Sequence, residues 1–234
     1  MLPTPVSRSN DLRFLRARVW RGRIGLGLVA SLSVLAGMTD AIGFMATGDF
    51  VSFMSGNTTR LAVAISDGDS ALIGRLCALV VAFIAGNALG VIVSRFSGRR
   101  AFALLLLLAA MLGLSASLPT AWQTAALLIG IIAMGMLNAV VEQVNGLPIG
   151  LTYVTGALSR FGRGLGRWLV GERPSGWRVQ LVPWTGMFIG AVLGAVLEQR
   201  MGLSAMYFSA ALAVVIGLVT LKIPRRWQLG YMPR

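Results

Sequence analysis

Six apolar runs, each about the length of a bilayer crossing, constrain this chain more than any other feature. They are Ile24–Phe44, Leu72–Val93, Ala101–Leu118, Trp122–Val141, Val179–Val196 and Leu203–Leu221. A helix rises 1.5 Å per residue, so about 20 apolar residues cross the hydrocarbon core. The chain is 56% hydrophobic and only 12% charged, against roughly 25% charged for a soluble domain. So few charges cannot cover a water-exposed surface of this size. The expected solvent is lipid, and no stretch between the runs is long enough to form a soluble module.

Charge placement gives the expected orientation. The formal net charge is +13, almost all of it arginine. Arg8, Arg13, Arg16, Arg18, Arg21 and Arg23 precede the first run. Arg95, Arg99 and Arg100 follow the second, and Arg160, Arg163, Arg167, Arg173 and Arg178 precede the fifth. Lys222, Arg225 and Arg226 follow the last. Loops rich in arginine and lysine stay in the cytoplasm. The pattern therefore predicts both termini inside and Asp67 and Asp69 outside. Membrane lipids, with anionic headgroups at the cytoplasmic face, are the expected partners of these arginines, rather than nucleic acid. Arg75 is the misfit near the outer end of its run, where Asp67 or Asp69 is expected to neutralise it. The leader, 1–23, is expected to be a short interfacial helix or a tail, and 222–234 a cytoplasmic tail.

Two weaker stretches lie between the runs. Gly48–Ile65 reads GDFVSFMSGNTTRLAVAI, and Gly146–Leu165 reads GLPIGLTYVTGALSRFGRGL. Glycines, hydroxyls, amides and arginines interrupt both. If both spanned, Arg95, Arg99 and Arg100 would move outside, so both are expected to be broken or re-entrant elements. Gly56 is expected to permit the break in the first. The predicted fold is an all-α integral membrane protein. It has six transmembrane helices plus two short broken or re-entrant elements, in a single membrane domain over 24–221.

The two halves, 24–118 and 122–221, resemble each other. Gly37-Met38-Thr39-Asp40-Ala41 matches Gly135-Met136-Leu137-Asn138-Ala139 at a separation of 98 residues. Gly48 matches Gly146, and Ser55-Gly56 matches Thr155-Gly156. Gly86 and Gly90 align with Gly186 and Gly190 at a separation of 100. Three spans per half is an odd number, so the second half would be inverted in the membrane, a common plan in secondary transporters. Gly86 and Gly90 share one helix face, as do Gly186, Gly190 and Gly194. The two helices that carry them are expected to pack tightly, against each other.

The candidate pathway residues are those whose polarity is costly in lipid. Asp40 stands inside the first run, and intramembrane acids face a bundle interior or a cavity. It is a candidate site for a proton, cation or polar solute, or else a buried acid bonded to nearby hydroxyls. Its mate in the second half is Asn138. Asn57 lies in the polar cluster with Asp49, Ser52, Ser55, Thr58, Thr59 and Arg60, and Asn87 stands between two helix glycines. The matching cluster in the second half is Glu142, Gln143, Asn145, Thr152, Tyr153 and Thr155, with Glu142 following the fourth run at the expected inner mouth. Cys77 is the lone cysteine and histidine is absent, so neither a disulfide nor an ordinary zinc or haem ligand set is available. No cofactor and no enzymatic activity are expected.

The stretches GMTDAIGFMATGDFVSFMSGNTTRLAV and FIAGNALGVIV resemble the YoaK-like family of bacterial inner-membrane proteins, a domain of unknown function. The likeness runs from about Ile24 to Leu221. The family pattern falls on Gly37, Asp40, Gly48, Phe50, Gly56 and Asn57, with Ser55 where the family has threonine. The resemblance implies about six spans but no activity. The expected function is therefore a secondary transporter or channel for a small solute or ion. A non-transporting membrane scaffold or assembly protein is the alternative.

Overall fold

The computed structural model describes residues 8–141, 143–144, 147–148, 154–173 and 175–232. α1 runs Arg8–Thr47, α2 Met54–Asp67, α3 Ser70–Phe96 and α4 Ala101–Ser117. α5 follows at Gln123–Leu137, then a minimal hairpin of β1 (Gln143–Val144) and β2 (Leu147–Pro148). α6 is Val154–Leu169, α7 Leu181–Met201, α8 Met206–Leu221 and α9 Arg225–Gln228. The hairpin pairs Gln143 with Pro148 and Val144 with Leu147. It is the one described departure from an all-helical chain.

Four stretches are long and apolar enough to cross a membrane: Val19–Thr47, Ser70–Phe96, Thr120–Leu137 and Arg178–Leu221. The last holds both α7 and α8, divided at Gly202, whose φ of 60° suits glycine. Ala101–Ser117 is equally apolar but shorter, at 17 residues. The leader is neither a separate interfacial helix nor a loose tail from Arg8 onward. It continues into the first span as one helix of 40 residues, about 60 Å long.

Among the described residues, each weak stretch carries an unbroken helix. α2 and α6 are continuous helices of 14 and 16 residues. The irregular backbone precedes α2, from Gly48 (φ 77°) to Phe53. Gly56 lies inside α2, where a methyl group would meet the Phe53 and Phe50 rings at 2.6 and 2.9 Å. Its role is clearance for those rings rather than a break. α2 stops at Gly68 in the left-handed conformation, and Asp69 then caps α3 by accepting from the Leu72 amide at 3.0 Å.

Glycine contacts set the packing. The helices carrying Gly86 and Gly186 do not pack on each other. α7 packs along α1, and α3 packs on α5. α4 packs on both α8 and α5. A methyl at Gly37 would overlap the Met187 backbone, and one at Gly135 would meet the Phe83 carbonyl at 2.6 Å. Gly86 sits on Ile132 and Gly190 on Val34; Gly90 sits on Met136 and Gly194 on Met38. Bare glycine faces let backbones approach closely, so dispersion and weak Cα–H···O contacts replace the hydrophobic drive that lipid cannot supply.

These contacts correct the alignment of the halves. Val34, Gly37 and Met38 correspond to Ile132, Gly135 and Met136, at the expected separation of 98 residues. Gly86 and Gly90, however, correspond by contact to Gly190 and Gly194, a separation of 104 rather than 100. α2 and α6 start 100 apart. The difference enters between Leu169 and Leu181, a longer connection than the one joining α2 to α3.

The residues after α8 fold back onto the bundle. Tyr231 and Met232 are buried. The Tyr231 hydroxyl donates to the Arg21 carbonyl at 2.6 Å, and burial raises its pKa above the usual phenol value. The Arg99 guanidinium donates to the Leu229 and Met232 carbonyls at 3.2 and 2.8 Å. The Gln228 amide donates to the Thr220 and Ile223 carbonyls at 2.8 and 3.0 Å. Arg21, the Gly98–Ala101 turn and the tail therefore meet at one end of the bundle.

Candidate functional site

The polar cluster that joins α1 to α2 is the most elaborate site among the described residues. Thr47 ends α1 with its hydroxyl bonded to the Gly43 carbonyl at 2.7 Å, and Gly48 turns the chain inward. Val51 then inserts against Gly43, where any side chain would overlap it. That insertion buries three successive amides, of Val51, Ser52 and Phe53, immediately ahead of α2. Buried amides need acceptors. One carboxylate oxygen of Asp40 accepts from all three, at 2.7, 2.7 and 3.4 Å. A carboxylate at the start of a helix also opposes the positive end of its dipole.

Asn57 reaches back from α2 to the same loop. Its side-chain oxygen accepts from the Phe50 amide at 3.1 Å, and its amide donates to the Phe50 carbonyl at 2.7 Å. Asn57 is fully buried. Phe50 stacks on Phe44 at 4.5 Å and meets Phe53 edge-on at 5.2 Å. Asp40 and Asn57 thus hold one loop from two helices.

Asp49 completes the cluster. It is 1% exposed and forms ion pairs with Arg60 of α2 and with Arg75 of α3, the latter at 2.5 Å. Arg60 also donates to the Gly48 carbonyl at 2.6 Å, and Arg75 to that of Thr47 at 3.2 Å. The partner of Arg75 is therefore Asp49, not Asp67 or Asp69. Asp69 is committed to capping α3. The signal for the Asp49 triad was present in the sequence: two arginines and one acid near one helix end, within a stretch too polar to sit in lipid unpaired.

Asn87 and Asn138 meet elsewhere. The Asn138 amide donates to the Asn87 side-chain oxygen at 3.1 Å, and the Asn87 amide donates to the Phe83 carbonyl at 2.8 Å. They link α3 to the end of α5 and share no described hydrogen bond with Asp40 or Asn57. Gln143 is half-buried in β1, and its backbone amide donates to the Tyr231 carbonyl at 3.2 Å. Glu142 and Asn145, with Thr152 and Tyr153, lie outside the described residues. Cys77 is exposed on the apolar helix α3. Among the described residues, no group of three acids, cysteines or histidines could hold a metal ion.

A family model described as a protein of unknown function, DUF1275, matches residues 28–219. The chain belongs to this family. It is similar to the UPF0700 transmembrane protein RA0705 of Rhizobium meliloti (strain 1021), at 53% identity over 213 residues, covering 91% of this chain and 93% of that protein. No solved structure matches it. The family assignment and the long apolar helices together make the chain a multi-pass membrane protein. The family is uncharacterised, so any role for Asp40, Asp49 or Asn57 has to come from their chemistry.

Proposed function

We propose that this DUF1275 protein is a secondary transporter or channel for a small solute or ion, without enzymatic activity, in a bacterial inner membrane. Its frame is six crossing helices, α1, α3, α4, α5, α7 and α8, and two short helices, α2 and α6, that enter without crossing. α2 and α6, at 14 and 16 residues, would be about 21 and 24 Å long against a hydrocarbon core of about 30 Å.

The observation that carries this reading is the doubled glycine constellation. The contacts of α1 with α7 recur as those of α5 with α3, residue for residue. α2 packs on α3 as α6 packs on α7. The buried residues of the short helices also correspond, Asn57 with Ala157 and Ala64 with Gly164. With three crossings in each half, such a repeat is inverted, and the first crossing of each half packs against the other half. That arrangement suits rocking of one half against the other around a central site.

Asp40 is then a lock rather than an open ligand. In transporters of this plan, the N-terminal amides of a short helix face an anionic group of the solute. Here the carboxylate of Asp40 holds the amides ahead of α2. Protonation of Asp40, or an anionic solute competing for those amides, would release the loop. The second reading, a membrane scaffold, is favoured by the same saturation: Asp40, Asp49 and Asn57 are all committed to bonds within the protein.

Sidedness follows from charge. The end that holds Arg21, the Gly98–Ala101 turn and the tail is strongly basic, so it faces the cytoplasm. A single cysteine replacing Asp67, in a chain with Cys77 replaced, should react with an impermeant thiol reagent added outside. One replacing Ser97 should not. The reverse pattern refutes the topology.

Function itself is tested with purified protein. A panel of small solutes and ions is screened for thermal stabilisation, and each hit is measured for uptake into proteoliposomes, with wild type beside Asp40→Asn. Transport predicts at least one stabilising solute, with uptake that the variant alters. A panel with neither stabilisation nor uptake supports the scaffold.

A further inference from the structure

Two adjoining cavities at the corner of α1, α4 and α8 carry an inference independent of transport. The first, about 480 Å³, is a groove between α1 and α8 whose walls include Gly27, Leu28, Ser31, Val215 and Val219. The second, about 340 Å³, lies beyond the end of α8, with Arg100, Arg225 and Gln228 in its lining. Lys222 and Ile223 line both. Lys222 follows the last residue of α8, where the apolar helix ends. The two cavities together form one site, apolar along the helix and cationic at its end.

Among the described residues, the equivalent place in the other half is closed. Gly113 and Gly217 place α4 and α8 in the same 104-residue register as α3 and α7. The equivalents of Leu28 and Val219 are then Ala126 and Ser115. There the Ser115 hydroxyl donates to the Ala126 carbonyl at 2.8 Å, with both residues buried. Small residues and that bond draw α4 and α5 together. Leucine and valine hold α1 and α8 apart.

The lining selects the occupant. Among the described residues, no carboxylate lines either cavity. Lys222 and Arg100 have no ion pair or side-chain hydrogen bond among the described residues, and Arg225 donates only to the Gly98 carbonyl, at 3.3 Å. A second copy of this chain would cover the groove, but its exposed Asp67 and Asp69 lie at the opposite end of the bundle from the three cations. A free phosphate would use the cations and leave the groove empty. An anionic amphiphile satisfies both parts, and juxtamembrane cations attract anionic headgroups. We propose that this corner binds an anionic glycerophospholipid, with one acyl chain in the α1–α8 groove and its phosphate on Arg100, Lys222 and Arg225.

The test uses full-length protein in uncharged detergent, titrated with phosphatidylglycerol, phosphatidylcholine or soluble glycerol phosphate, with thermal stability and bound lipid as readouts. Phosphatidylglycerol should bind and stabilise, and the other two should not. Gly27→Phe is the groove variant. A Cβ there meets nothing within 4 Å, and phenylalanine is a better helix former than glycine, so the variant folds. It should abolish retention of phosphatidylglycerol. Replacing Arg100, Lys222 and Arg225 with glutamine should weaken binding about a hundredfold, from the usual worth of three juxtamembrane cations. Equal binding of phosphatidylcholine, or wild-type affinity in Gly27→Phe, overturns the proposal. Competition by glycerol phosphate at the affinity of the lipid would mark a free-phosphate site and overturn it too. If the triple variant does not fold, Gly27→Phe and the two competitors decide.

Discussion

Replacing Asp40 with alanine removes one oxygen that serves three amides. The Val51 and Ser52 bonds are short, at 2.7 Å, and the Phe53 bond is long, at 3.4 Å, so two bonds dominate. Each buried amide left without an acceptor costs about 1–3 kcal/mol, with the upper part of the range where the acceptor was charged. Local opening of the loop should therefore become easier by about 3–6 kcal/mol. Asparagine keeps an oxygen in place and loses the charge. Charge-assisted bonds are roughly twice as strong as neutral ones, so about half the loss is expected for Asp40→Asn. Hydrogen exchange at the amides of 51–53 reads this directly. At 1.4 kcal/mol per factor of ten, exchange should accelerate about 10²- to 10⁴-fold in the alanine variant and far less in the asparagine variant. Exchange in α8, which packs chiefly on α4, should change much less and serves as the internal reference. Unchanged exchange at Val51 and Ser52 in Asp40→Ala would refute the reasoning, as would equal acceleration in both variants.

Asp49→Asn breaks two ion pairs at once. Both arginine side chains are 35% exposed, so the loss should be near the low end for a buried pair, about 3 kcal/mol, as a shift of the denaturation midpoint in detergent. Arg75→Gln, which leaves Arg60 in place, should cost less. Gly190→Val drives a side chain into the Val34 carbonyl and should cost about 3 kcal/mol or more. Gly113→Ala, which meets nothing within 4 Å, should be neutral or stabilising by up to about 1 kcal/mol; thermal denaturation of the two variants compares them. Because burial raises the pKa of Tyr231 above its ordinary 10.0, the folded chain holds that proton more tightly than the unfolded one. The tail contact should be complete below pH 10 and weaken as pH rises through the folded value. Tyrosinate absorbance together with proteolysis of the tail measures this, and Tyr231→Phe should abolish the pH dependence of tail release.

The class of this protein was legible in its residues because a bilayer imposes a length and a polarity on whatever crosses it. Apolar runs near 20 residues, with arginine collected at their ends, have few other solutions. A likeness between the halves was legible in the first helix of each, where Gly37 and Gly135 share one set of close contacts, because close backbone contact tolerates only glycine there. It was misaligned at Gly86 and Gly186, since an extra turn before α7 shifts the frame by one helical turn, which leaves the glycines on the same face and the alignment ambiguous. Asp40 could be recognised as costly in lipid, but its partners could not. They are backbone amides, present at every residue, and only the inward turn at Gly48 selects which three it receives. The pairing of Arg75 with Asp49 rather than with its sequence neighbours is of the same kind. So is the return of Tyr231 to Arg21, across nearly the whole chain. Lipid supplies no hydrophobic preference between one apolar helix and another. The choice of α1 with α7 and of α3 with α5 therefore rests on matched glycine surfaces and buried polar contacts, which exist only once the helices are assembled.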